Sequence, residues 1–143
     1  MRTSLQTSVP SRSASRVCAT ATSPATATSS SQINLTWSDS NNETSYTVER
    51  STGGGSFTGV ATLSANVTSY SNTGLSASTT YSYRVLAANS AGSAYSPVAS
   101  ATTLAPPPAA PSGLGATAVG KNQINLTWTD NSNNEQNFVV ERQ

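Results

Sequence analysis

The hexapeptide Gln32-Ile33-Asn34-Leu35-Thr36-Trp37 occurs a second time, letter for letter, as Gln123-Ile124-Asn125-Leu126-Thr127-Trp128, 91 residues further on (from position 37 to position 128). Val48-Glu49-Arg50 likewise returns as Val140-Glu141-Arg142. Exact recurrence at this distance marks one structural unit used in series, which restricts the chain to folds that can be strung end to end. With 143 residues, the chain holds one complete copy and the first third of another.

The residues inside the repeat identify the unit as β-structure. Ile33, Leu35 and Trp37 alternate with Asn34, Thr36 and Ser38, and period two with one apolar face predicts a half-buried strand. The polar run Asp39 to Glu43 reads as a loop, and Tyr46, Val48 and Arg50 alternate with Thr47 and Glu49 in a second strand. Thr52-Gly53-Gly54-Gly55-Ser56 is a turn. Phe57 to Leu63 and Val67 to Tyr70 are shorter strands, closed at Asn72 to Leu75. The longest strand signal runs from Thr80 to Asn89, with Tyr81, Tyr83, Val85 and Ala87 on one face. After the turn at Ser90 to Ser93, a last strand spans Ala94 to Thr103 and is interrupted by Pro97. Proline has no N–H for a ladder, so this strand belongs at a sheet edge. No window shows helical spacing, and short strands with frequent turns predict an all-β sandwich.

Ala105 to Pro111 is a proline-rich linker, expected to be extended and semi-rigid. The second copy follows from Ser112. The expected organisation is a disordered leader over 1–22, a full domain over 23–104, the linker over 105–111 and a truncated copy over 112–143 with its first three strands only. The leader is Arg- and Ser-rich and free of acids, a composition shared with organelle transit peptides, but it lacks the apolar stretch of a secretory signal. Its Cys18, the one cysteine in the chain, reads as a bystander thiol.

Taken together, these residues resemble a fibronectin type III domain of the kind found in bacterial extracellular tandem arrays. The carriers are Trp37, then Tyr46 and Val48, then Leu75, Thr80-Tyr81, Tyr83, Val85, Ala87, Asn89 and Gly92, and the terminal Ser100 to Thr103. The resemblance covers roughly Ser23 to Thr103 in full and Pro111 to Gln143 in part. It implies a seven-stranded antiparallel β-sandwich, immunoglobulin-like, with strands A, B and E in one sheet and the rest in the other. The implied core is Trp37, Tyr46, Val48, Leu75, Tyr81, Tyr83 and Val85, with Trp128 in the second copy. Tyr81 matches the family's tyrosine corner, whose hydroxyl bonds upstream backbone, with Leu75 to Ala77 as the expected acceptor region. Thr20 and Ser23 stand where the second copy has Pro111 and Leu114, so the first strand of the first copy should be short or frayed.

Composition narrows the function. Net charge is +1 and charged residues are 9% of the chain, so no field steers nucleic acid or an anionic membrane. No apolar run is long enough to span a bilayer. There is no histidine, the usual general base and commonest metal ligand. No Ser/His/Asp set, paired acid site or phosphate-cradling loop occurs, and Gly53 to Gly55 leads into no helix. The expectation is no enzyme and no cofactor.

Three features compete as ligand sites. Asp39 to Glu43, with its counterpart Asp130 to Glu135, gathers oxygen ligands; two carboxylates per copy fit no defined calcium loop, and Asp and Asn equally favour turns. Asn34, Asn42, Asn66 and Asn125 begin Asn-x-Thr sequons, two of them inside strands. Tyr95 could stack on a sugar ring or peptide. The loop residues Asp39, Asn41 and Asn42 are the remaining ligand-facing candidates. There is no Arg-Gly-Asp tripeptide.

The chain therefore reads as an extracellular or cell-surface spacer or interaction module of a larger repeat protein. The alternative is a carbohydrate- or protein-binding module accessory to a secreted hydrolase or adhesin. Expected partners are neighbouring domains of the parent protein, and polysaccharide or cell-surface protein under the alternative. The second copy exposes apolar faces at Trp128, Phe138 and Val140, which invite self-association or docking.

Overall fold

The computed structural model describes residues 24–142; the leader and Cys18 lie outside them. The chain divides between Leu104 and Ala105 into two compact units, and no helix occurs among the described residues.

Among its described residues the first unit contains eight strands: β1 (Ala25–Ala27), β2 (Ile33–Thr36), β3 (Ser45–Thr52), β4 (Thr58–Ser64), β5 (Ser69–Asn72), β6 (Thr80–Asn89), β7 (Gly92–Tyr95) and β8 (Ala99–Thr102). They form two antiparallel sheets. One has the order β1-β2-β5; the other has the order β4-β3-β6, with β7 and β8 both paired to β6. The last strand expected from the sequence is split in two, and counting its halves together restores the seven-stranded count. Pro97 causes the split, and Ser96 bridges it. Ser96 N–H donates to Val85 O at 2.8 Å, and Ser96 Oγ accepts from Val85 N–H at 2.9 Å, so a hydroxyl stands in where the ladder lapses.

Strand β1 has only three residues, as expected from the missing apolar anchor. Alternation sets the core. Residues of β2, β3 and β6 that point inward by parity bury Ile33, Leu35, Tyr46, Val48, Tyr81, Tyr83, Val85 and Ala87, joined by Trp37 and Leu75. Trp37 meets Tyr46 edge-on, with ring centroids 5.7 Å apart, a favoured aromatic geometry. The Trp37 Nε1–H is buried and has no partner among the described residues.

Tyr81 forms the expected corner, but its oxygen is the acceptor: Ser76 N–H donates to Tyr81 Oη at 3.0 Å. The upstream backbone supplies a donor there rather than an acceptor.

The second unit contains β9 (Ser112–Gly120) and β10 (Gln123–Thr129), paired antiparallel. Here two expectations fail. The third strand, carrying Phe138 and Val140, does not form, because residues 138–142 have no strand pairing. The first unit supplies the reason: β3 bonds β4 and β6, not β2. The second unit has no counterpart of β4 or β6 among its described residues, so its third strand has no ladder to join. Trp128 is not a core residue either. It is 38% exposed and meets Phe138 at 5.6 Å between centroids, with no second sheet covering it among the described residues. The proline-rich segment belongs to this unit: Asn131 Nδ2 donates to Ala110 O and Asn134 Nδ2 to Pro106 O, each at 2.8 Å.

Candidate interaction surfaces

Three connections of the first unit meet at one end of the sandwich: β2–β3, β4–β5 and β6–β7. Glu43 Oε1 accepts from Asn66 N–H at 3.1 Å, and Asn89 Nδ2 donates to Asn42 O at 2.7 Å. Thr44 N–H donates to Ala88 O at 2.8 Å. Asn42 and Asn66 both take left-handed backbone, with φ of 66° and 64°, which asparagine tolerates better than most residues. Asn89 Oδ1 accepts from Ala91 and Gly92 N–H at 2.8 and 3.1 Å, closing the β6–β7 turn.

This wiring engages one oxygen of each loop carboxylate that looked like a cation ligand. Asp39 Oδ1 accepts from Tyr46 Oη at 2.8 Å, and Tyr46 Oη accepts from Ser40 N–H at 2.7 Å. Burial pushes the Tyr46 hydroxyl pKa up, and the neighbouring Asp39 adds to it, while the Ser40 N–H opposes them. Among the described residues, no group of three or more Cys, Asp or Glu side chains gathers where it could hold a metal ion. The Asp39 to Glu43 loop is a structural tie in this geometry. Asn41 is exposed at its tip. In the second unit, Ser132 Oγ donates to Glu135 Oε2 at 2.5 Å, and that hydrogen bond lowers the Glu135 pKa.

Tyr95 lies elsewhere, on the outer face of the larger sheet, and is 44% exposed. The Arg84 guanidinium carbon sits 4.0 Å from the Tyr95 ring centroid and 4.4 Å from that of Phe57. Arg84 Nε donates to Glu49 Oε2 at 2.7 Å, and Tyr95 Oη donates to Glu49 Oε1 at 3.3 Å. The result is a cation stacked between two rings and clamped by a carboxylate. Sequence reasoning singled out Tyr95 but missed Phe57, Arg84 and Glu49. The register Glu49↔Arg84 and Leu86↔Tyr95 brings three of them together, and only strand pairing reveals it.

The two sheets are also joined by a buried polar group. Asn72 Oδ1, at the end of β5, accepts from Tyr83 Oη at 2.9 Å and from Arg50 Nη1 at 3.1 Å.

Two antiparallel sheets of these orders, with a tyrosine corner and a tryptophan between the layers, define an immunoglobulin-like sandwich. The Fibronectin type III domain pattern matches residues 22–102, and the chain belongs to that family. Solved structures agree. A fibronectin type III domain of human collagen XX is 21% identical, with a TM-score of 0.53, covering 59% of this chain and 90% of that one. A Fn3-like protein from Clostridium thermocellum is 32% identical, with a TM-score of 0.50, over 57% of this chain and 86% of its own. A β-1,2-glucanase from Parabacteroides distasonis is similar over 63% of this chain but only 13% of its own, at 26% identity and a TM-score of 0.54. No curated protein matches the chain.

Proposed function

We propose that the first unit is a non-catalytic spacer and interaction module of an extracellular multidomain protein. Fibronectin type III domains are common modules of extracellular or multidomain proteins and are generally non-catalytic. The observation that carries the reading is the loop end. Its carboxylates and amides bond the backbone and a buried tyrosine, in Glu43–Asn66, Asn89–Asn42 and Asp39–Tyr46. Bonds between the connections tie this end together, which supports a fixed spacing between neighbours.

A second reading is a binding module accessory to a secreted hydrolase or adhesin. The likeness to a small part of a β-1,2-glucanase supports it, as does the exposed Tyr95 ring beside Arg84. The two readings separate in a pull-down of the full chain against insoluble polysaccharides and cell-surface extracts. The spacer reading expects no retention above a non-binding control. Retention that disappears in Tyr95→Ala, with folding intact, replaces it with the binding reading.

A further inference from the structure

The proline-rich segment of the second unit is an awkward thing for a protein surface to hold. Of its residues, Ala105 to Pro111, only Ala105, Ala109 and Ala110 carry a backbone N–H; the rest are prolines. Such a segment cannot join a strand ladder on equal terms, because proline offers a carbonyl and no donor. A surface that fits it must bring donors from side chains.

The loop after β10 brings two. Asn131 Nδ2 donates to Ala110 O and Asn134 Nδ2 to Pro106 O, both at 2.8 Å. The two acceptors are separated by about 12 Å in a polyproline course, so the segment is held near both of its ends. The donors are also aimed. Ser112 Oγ donates to Asn131 Oδ1 at 3.4 Å, which leaves the amide NH2 for Ala110. Asp130 Oδ1 accepts from Ser132 N–H at 3.2 Å, and Ser132 Oγ donates to Glu135 Oε2 at 2.5 Å. These bonds brace the loop around each asparagine.

The first unit shows why this loop is free to act. There the equivalent turn is drawn inward, with Ser40 N–H and Asp39 both bonded to Tyr46 Oη. Phe138 stands at the position of Tyr46 in the second copy, and it has no hydroxyl. The second loop is also longer by one residue, since Arg142 follows Trp128 by one position more than Arg50 follows Trp37.

We propose that the Asp130 to Glu135 loop is a docking surface for an extended proline-rich segment, and that its occupant is the chain's own Ala105 to Pro111. Asn131 and Asn134 strap that segment to the second unit. The strap deepens the spacer reading, on which its use rests: a linker held near both ends enters its module in one direction.

The test is nuclear magnetic resonance of the full chain. Nuclear Overhauser contacts are expected from the Asn131 side-chain amide to Ala110 and from the Asn134 side-chain amide to Pro106. Order parameters of the Ala109 and Ala110 amides should approach ~0.85, and should drop below ~0.6 in the double variant Asn131→Asp/Asn134→Asp. Those substitutions keep the side-chain shape and replace donors with acceptors. Asn133→Asp adds a charge beside Asn134 but removes neither donor, so it should leave the order unchanged. If the double variant loses the β9–β10 amide pattern, the contacts in the unaltered chain decide alone. Missing contacts, Ala109 and Ala110 below ~0.6 in the unaltered chain, or order that survives the double variant with the hairpin intact would each overturn the proposal. The spacer reading fails separately, by retention in the pull-down, which leaves these amide signals untouched.

Discussion

Tyr83 Oη donates to Asn72 Oδ1 across 2.9 Å, linking β6 of one sheet to the end of β5 in the other. Arg50, on β3, donates to the same oxygen at 3.1 Å, so one amide carbonyl serves two donors inside the sandwich. Removing an acceptor leaves buried donors unpaired, which costs more than the bond itself contributes. Asn72→Ala should therefore destabilise the first unit by about 1–3 kcal/mol, measured as a lowered denaturant midpoint with unchanged slope.

The same tyrosine sets an alkaline limit. Burial pushes the Tyr83 hydroxyl up to about 12, against an ordinary value of 10.0. The folded state thus holds this proton where the unfolded chain releases it. The contribution is fully present below pH 10 and is lost progressively as pH rises towards 12. Its size is at most on the order of 3 kcal/mol. Tyr46 is raised also, so its effect has the same sign. Denaturation measured from pH 8 to 12 should show falling stability above pH 10, and Tyr83→Phe should show a shallower fall over that window.

Trp37 fills the space between the sheets but leaves its Nε1–H without a partner among the described residues. Its value is therefore bulk and ring contact alone. Trp37→Ala should cost about 3–5 kcal/mol. Trp37→Phe, which keeps a ring and removes the orphaned N–H, should cost well under half of that. Equal losses in the two variants, by thermal or chemical unfolding, would show that a smaller ring cannot replace the indole and would overturn this reading.

On the outer face, Arg84 is stacked on Tyr95 at 4.0 Å and on Phe57 at 4.4 Å. Tyr95→Ala removes one wall and one hydrogen bond to Glu49, and should cost about 0.5–1 kcal/mol. The loss should depend only weakly on salt, since the ring is uncharged. Glu49→Gln should behave differently, with a cost that shrinks as ionic strength rises.

The sandwich was legible because its inner residues obey a strict two-residue alternation: Ile33, Leu35 and Trp37 in one strand, Tyr81, Tyr83, Val85 and Ala87 in another. Pro97 announced the interrupted edge, and the missing apolar anchor announced a short β1. What stayed hidden depends on pairing between distant strands. Asn72 looked like a turn residue, yet it is buried where β5 passes Tyr83 and Arg50. Phe57, Arg84 and Glu49 carry no local signal, because only register stacks them. The unformed third strand of the second unit has the same origin. Val140 repeats Val48, but a strand needs hydrogen-bonding neighbours that its own residues cannot provide.

The break at Ser96 and Pro97 bears on life beside near-identical neighbours. An unbroken outer strand would offer each copy a template for the next, and modules sharing a sequence such as Gln-Ile-Asn-Leu-Thr-Trp are well matched to cross-pair during folding. Here the outermost rim is cut into two runs of four residues, with a proline between them that cannot donate. That side of the sheet is too short and too uneven to serve as a ready template for a strand of a neighbouring copy.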